Sequence, residues 1–174
     1  MGTADYLAKY FYCSAIFEEE VAKAYQKISE KVSDKEVAYL LEYIAKDSFK
    51  HAAAFKALTT NLANQIECGE CGKIMGEALV KAVEEARRYA AREDAVTLSE
   101  LRSIIIQFEN YEGYASEEYL TVLYVEVVKL LANEYYADLK NYKTLLEWVI
   151  EDEKRHTQIL TFIKSRIAEQ TKDT

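Results

Sequence analysis

The chain has two histidines, and they occupy matching places in an internal repeat. Residues 39–51 read Y-L-L-E-Y-I-A-K-D-S-F-K-H, residues 144–156 read T-L-L-E-W-V-I-E-D-E-K-R-H, and the two align without a gap. Upstream of each, a glutamate precedes a tyrosine by seven residues: Glu18 with Tyr25, and Glu117 with Tyr124. The chain therefore reads as two related helical hairpins, each bringing carboxylates toward one imidazole. Glutamate oxygen and imidazole nitrogen together suit iron, manganese or zinc, whereas calcium takes oxygen ligands only.

Steps of three and four residues keep side chains on one face of a helix. On the first helix they select Phe11, Ser14, Glu18, Val21, Tyr25, Ile28 and Val32, and on the second Val37, Leu41, Ile44, Ser48, His51, Phe55 and Leu58. The third stripe reads Ile106, Asn110, Gly113, Glu117, Leu120, Tyr124, Val127 and Leu131, and the fourth Tyr142, Leu146, Val149, Glu153, His156, Leu160 and Ile163. Each stripe is apolar at its ends and polar in its middle. Height agrees, since Glu18 and Ser48 are equally far from Ser33, and Glu117 and Glu153 from Tyr135. Carboxylates in an apolar core each cost several kcal/mol when uncompensated, and none of the stripes carries a lysine or arginine. A bound cation is the simplest compensation. The spacing predicts Glu18, His51, Glu117, Glu153 and His156 as its ligands.

The elements that must position these residues follow from composition. The 174-residue chain has no proline, five glycines and 50% hydrophobic residues, which favours one all-α domain spanning residues 1–174. A first helix is expected over residues 4–31, and a second, started by a capping box of Ser33 and Glu36, over 33–64. Gly69 and Gly72 should break the chain before a shorter helix at 74–92, and Thr97 with Glu100 should start a third long helix reaching 132. A turn at 133–141 and a last helix to about residue 167 complete the pattern. The extra segment is long enough to cross from one end of a bundle to the other.

A net charge of −8 with no basic patch argues against nucleic acid as a partner. No apolar run reaches membrane-spanning length and the first residues do not read as a leader, so a cytoplasmic protein is expected. Cys13 stands alone on the first helix, while Cys68-Gly-Glu-Cys71 forms half of a metal knuckle without its complement. An odd cysteine count does not suggest a disulfide framework. A strained, labile bond between Cys68 and Cys71, or a simple linking turn, are the other readings.

Glutamate on the first and third long helices, with Glu-x-x-His on the second and fourth, resembles the pattern of ferritin-like di-iron carboxylate proteins. Glu153-Lys-Arg-His156 matches it in full, and the arrangement covers nearly the whole chain. The likeness is to the rubrerythrin and bacterioferritin branch. It implies a ferritin-like four-helix bundle with an extra short helix in its central connection. It also implies Asp47 and Asp152 as partners orienting the ligand histidines, and Tyr25 and Tyr124 as tyrosines beside the ligands. Two iron ions are implied, with manganese or zinc as alternatives, and so is a redox reaction with oxygen or peroxide fed by a separate electron donor. A homo-oligomer, a dimer, is expected, with some of the 14 tyrosines at its interface. The chain departs from the pattern at Ser48-Phe-Lys-His51, where serine replaces a glutamate that usually bridges the metals. That loss leaves either a pair of metals with water in the gap, one firmly held metal, or a non-catalytic helical module with a degenerate site. A metal hydrolase is disfavoured because such a core offers no evident substrate cleft.

Overall fold

A computed structural model describes residues 3–59, 68–133 and 139–170. Every regular element among them is helical: α1 (Thr3–Lys31), α2 (Lys35–Ala57), α3 (Cys68–Met75), α4 (Glu77–Ala90), α5 (Leu98–Glu118), a π-helical stretch (Tyr119–Tyr124), α6 (Val125–Asn133) and α7 (Leu139–Gln170). The all-α expectation holds. The chain divides into two compact units, Met1–Thr97 and Leu98–Thr174.

In the first unit α1 packs against α2, α3 and α4. It is buried on more than one side, and this is visible in its sequence: Phe11, Ser14, Glu18, Val21, Tyr25 and Ile28 form the predicted stripe, while Cys13, Ala15, Phe17, Ala22 and Ala24 are buried beside it. The α1–α2 hairpin aligns Phe11 with Phe55, whose ring centroids are 5.6 Å apart. All the predicted inward positions of α2 from Val37 to Phe55 are buried.

The turn into α2 differs from expectation. Asp34, not Ser33, is the cap: its Oδ1 accepts from the backbone N–H of Glu36 at 3.0 Å and of Val37 at 3.2 Å. Aspartate adds negative charge at the positive end of the helix, which serine cannot. At its other end α2 stops at Ala57, short of the expected 64, and residues 60–64 lie outside the described residues.

The predicted break at Gly69 and Gly72 is corrected as well, because both lie within α3 and the chain bends at Gly76. Gly76 has φ +90, a backbone conformation that side chains disfavour and glycine adopts freely. Gly72 serves packing instead, since a Cβ there would meet Val80 Cγ2 at 2.7 Å. Helix α4 turns Leu79, Val83 and Ala86 inward, and the segment after it returns to α1 through the Val96 N–H, which donates to the Lys31 carbonyl at 2.9 Å.

The second unit is a hairpin of α5, π-helix and α6 against α7. The arms run antiparallel: Lys164 Nζ meets both Glu109 oxygens, at 2.6 and 2.8 Å, and farther along Tyr124 Oη donates to Glu147 at 3.2 Å. Helix α7 buries Leu146, Val149, Glu153, His156, Leu160 and Ile163, the predicted stripe. Its partner does not follow the predicted stripe. Ile106 and Leu120 are 45% and 46% exposed, and the buried face carries Leu101, Ile104, Ile105, Phe108, Tyr111, Glu112, Ala115, Tyr119, Leu123 and Val127. From Ala115 onward these steps are all of four residues, as expected where i→i+5 turns hold more residues than α-turns. Stepping back from Val127 at α-helical spacing therefore lands on the wrong face. The turn expected at 133–141 falls partly outside the described residues, since 134–138 and the side chain of Leu131 are among those not described. No described helix is long and apolar enough to cross a membrane.

Candidate metal centre

In the second unit the change of face exchanges one glutamate for another. Glu117 is exposed, whereas Glu112 is 2% exposed and turned toward α7. Five residues separate them on α5, which is about 140° around an α-helix. Equal distance from the turn placed Glu117 at the height of Glu153, but height alone does not fix the face. The buried residues around Glu112 are the signal that does: Ile105, Phe108, Tyr111 and Ala115 surround it, whereas Glu117 is flanked by exposed positions such as Gly113 and Leu120. The glutamate–tyrosine spacing was legible there too, because Tyr119 follows Glu112 by seven residues, as Tyr25 follows Glu18. Tyr25 and Tyr119 are both fully buried. Tyr124, expected beside the metal, instead bonds Glu147 and lies under the Lys143 ammonium, 5.6 Å from its ring centroid.

Glu112 Oε2 is 2.9 Å from His156 Nδ1, and Glu153 Oε2, one turn before on α7, is 3.9 Å from the same nitrogen. One donor atom from each of the three residues falls within 4.8 Å of the others. All three side chains are buried, and no lysine or arginine is among the buried residues described. Two ionised carboxylates in such surroundings need positive charge close by.

The donor set fits a first-row transition metal. An ion about 2.0–2.2 Å from each ligand atom would hold neighbouring donors roughly 3–3.5 Å apart, so the observed separations need only small side-chain adjustments. One imidazole and two carboxylates leave coordination positions open, as an exchangeable site requires.

The first unit holds the equivalent pair. His51 Nδ1 lies 3.8 Å from Glu18 Oε2, and both side chains are 5% exposed or less. Ser48 is buried one turn before His51, where Glu153 stands in the other hairpin. Asp47 and Asp152, expected to orient the histidines, each pair with a cation three residues on, Lys50 and Arg155 respectively. Asp47 is nevertheless buried, while Asp152 is half-buried. Around α1 an ion network ties three helices together: Glu19 meets Lys23 and Lys56, and Glu20 meets Lys23 and Arg87. The Lys56 and Lys23 ammonium groups hold the Glu19 carboxyl below its usual range.

The cysteines depart from the half-knuckle reading. Cys13 of α1 is bonded to Cys71 of α3, their Cα atoms 5.4 Å apart, so the pairing joins the cysteine that looked solitary to the end of the motif. Sequence spacing carried no signal for this, because it depends on α3 packing beside α1. The side chain of Cys68 lies outside the described residues. No protein-family model, no curated protein and no solved structure matches this chain.

Proposed function

We propose that this is an iron-binding redox protein of the ferritin-like kind, in which Glu112, Glu153 and His156 hold the metal. The single observation that supports this reading is the convergence of two buried carboxylates and the His156 Nδ1 atom on one point of the second hairpin. Bound iron would supply the electrons that reduce oxygen or peroxide, drawn in turn from a separate donor. Manganese and zinc suit the same donors. The chain's own contribution is to hold the two carboxylates and the imidazole nitrogen turned to one another, and to exclude bulk water by burial. Glu153 and His156, one helical turn apart on α7, fix two donors on a rigid element, and Glu112 closes the site from α5.

Ser48 favours a second reading, a metal-binding helical module that does not turn over. Its hydroxyl cannot replace a bridging carboxylate, so the first hairpin offers one carboxylate and one imidazole where the second offers two and one. Both readings are tested together by metal analysis of protein purified without chelator, followed by absorption spectra before and after oxygen or peroxide. Bound iron with an oxidant-dependent spectral change supports the redox protein. Bound metal without such a change supports the module, and metal-free protein that takes up no added iron, manganese or zinc rejects both.

A further inference from the structure

We propose that α3 is a redox-clamped strap: reduction of the Cys13–Cys71 disulfide releases it from α1 about Gly76, while α4 stays in place. The inference is independent of the metal reading.

The two short helices are held very differently. Helix α3 has eight residues, well below the roughly 12–15 at which an isolated helix begins to persist in water. Among its described side chains the buried ones are Cys71 and Met75, one turn apart on a single face. Cys71 is bonded to Cys13 of α1, and the Met75 sulfur lies 4.0 Å from the hydroxyl of Ser14, the next residue of α1. Half of that inward face is therefore the disulfide itself. Helix α4 buries Leu79, Val83 and Ala86, and Arg87 near its end pairs with Glu20 of α1 at 3.2 Å. The segment beyond α4 is fastened too, through the Val96 N–H to the Lys31 carbonyl.

Between the two helices stands Gly76, with φ +90 and nothing within 4 Å of where a Cβ would sit. Changes of backbone angle are absorbed at such element ends, and glycine has the widest choice of them. The chain can therefore swing α3 there without disturbing α4.

A dithiol is the reductant this step requires. Its first thiolate attacks one sulfur of the bond and expels the other as thiolate, and its second thiol then displaces the mixed disulfide. Two electrons and two protons pass to Cys13 and Cys71, and the dithiol leaves as a disulfide. Cys71 also stands in the wall of a surface groove lined by Ile16, Val83, Glu84 and Arg87, which gives the reagent a route to the bond. Once the bond is open, α3 is left with the Met75 contact and little else of its inward stripe, and its departure bares Cys13 and Ser14, both fully buried while the clamp is closed. The device thus converts redox state into exposure of one stretch of α1.

The experiment is amide hydrogen exchange on the whole protein, oxidised and after reduction by a phosphine, with alkylation of Cys13 and Cys71 confirming that the bond has opened. Amides of residues 70–75 should exchange roughly tenfold or more faster in the reduced protein, while those of α2 and α4 keep their rates. Reoxidation should restore the protection. The double variant Cys13→Ser, Cys71→Ser, checked for folding by circular dichroism, should match the reduced protein, which carries the test by itself where the variant does not fold. Unchanged exchange at 70–75 after complete reduction overturns the proposal, and so does an equal rise in α2 and α4, which would mean that the bond braces the whole unit rather than one strap.

Discussion

The two hairpins solve the same problem with different resources. The first is braced by a disulfide, a five-residue ion network and an aspartate cap, and among its described residues Glu18 and His51 meet in its interior. The second has no disulfide among its described residues but gathers Glu112, Glu153 and His156. Repetition therefore preserved the histidines and their opposing glutamates, while the residue one turn before each histidine diverged to Ser48 and Glu153.

The largest effect that would sharpen this contrast is the loss of the covalent brace. Cys13→Ser opens a bond between residues 58 apart, and chain entropy assigns such a loop about 4 kcal/mol. Urea denaturation of oxidised protein should show a loss of roughly 2–4 kcal/mol, with metal content unchanged. An unaltered unfolding midpoint would mean that packing alone holds α3 to α1.

Metal content separates the hairpins next. Glu112→Ala should weaken metal binding by about tenfold or more, or ~1.4 kcal/mol, whereas Glu117→Ala on the exposed face should leave it unchanged. Equal losses in the two variants would return the third-helix ligand to the position that spacing first suggested. Glu153→Ala should likewise lose more metal than Glu18→Ala, because the second hairpin carries the fuller donor set. A reversed order in competition titrations would make the first hairpin the main site.

Smaller still is the turn. Asp34→Ala should destabilise the protein by about 1 kcal/mol, and Ser33→Ala by little, since the aspartate caps α2. Comparable losses for both in thermal melts would show that the two side chains share the cap. Acidification gives the smallest effect. Lys56 and Lys23 depress the Glu19 pKa in the folded state, so the contribution of Glu19 is full above its unfolded value near 4.5 and is lost as pH falls through the folded value. Solvent screening keeps it below about 1 kcal/mol. Relative to Glu19→Gln, the parent protein should lose this advantage in melts below pH 4.5; a constant difference down to acid unfolding would remove Glu19 from the ion network.

The helical class and three of the four inward stripes were legible because hydrophobic period reports directly on burial. So were Glu153, His156, Glu18 and His51, which lie on regular α-helix whose phase can be counted. Glu112 was not reached because the count crossed a π-helical stretch, whose hydrogen-bond shift leaves no mark in residue type. The cap was misread by one residue because serine and aspartate adjoin and both serve such positions. The Cys13–Cys71 pairing was out of reach for another reason: it depends on which helix lies beside which, and composition and period are silent on that.

The Tyr119–Tyr124 stretch can also be seen as a record of chain length. An α-helix that gains one residue must either rotate everything beyond it by about 100° or confine the surplus to one widened turn. Here the surplus is confined, and Glu112 on one side shares a buried face with Leu123 and Val127 on the other. Removing a single residue from positions 120–122 would make the helix more regular and the protein worse, since one of the two faces would have to turn away from α7. Regularity and fitness of sequence thus point in opposite directions at this spot, and an alignment that closes the gap there would superimpose the wrong glutamates.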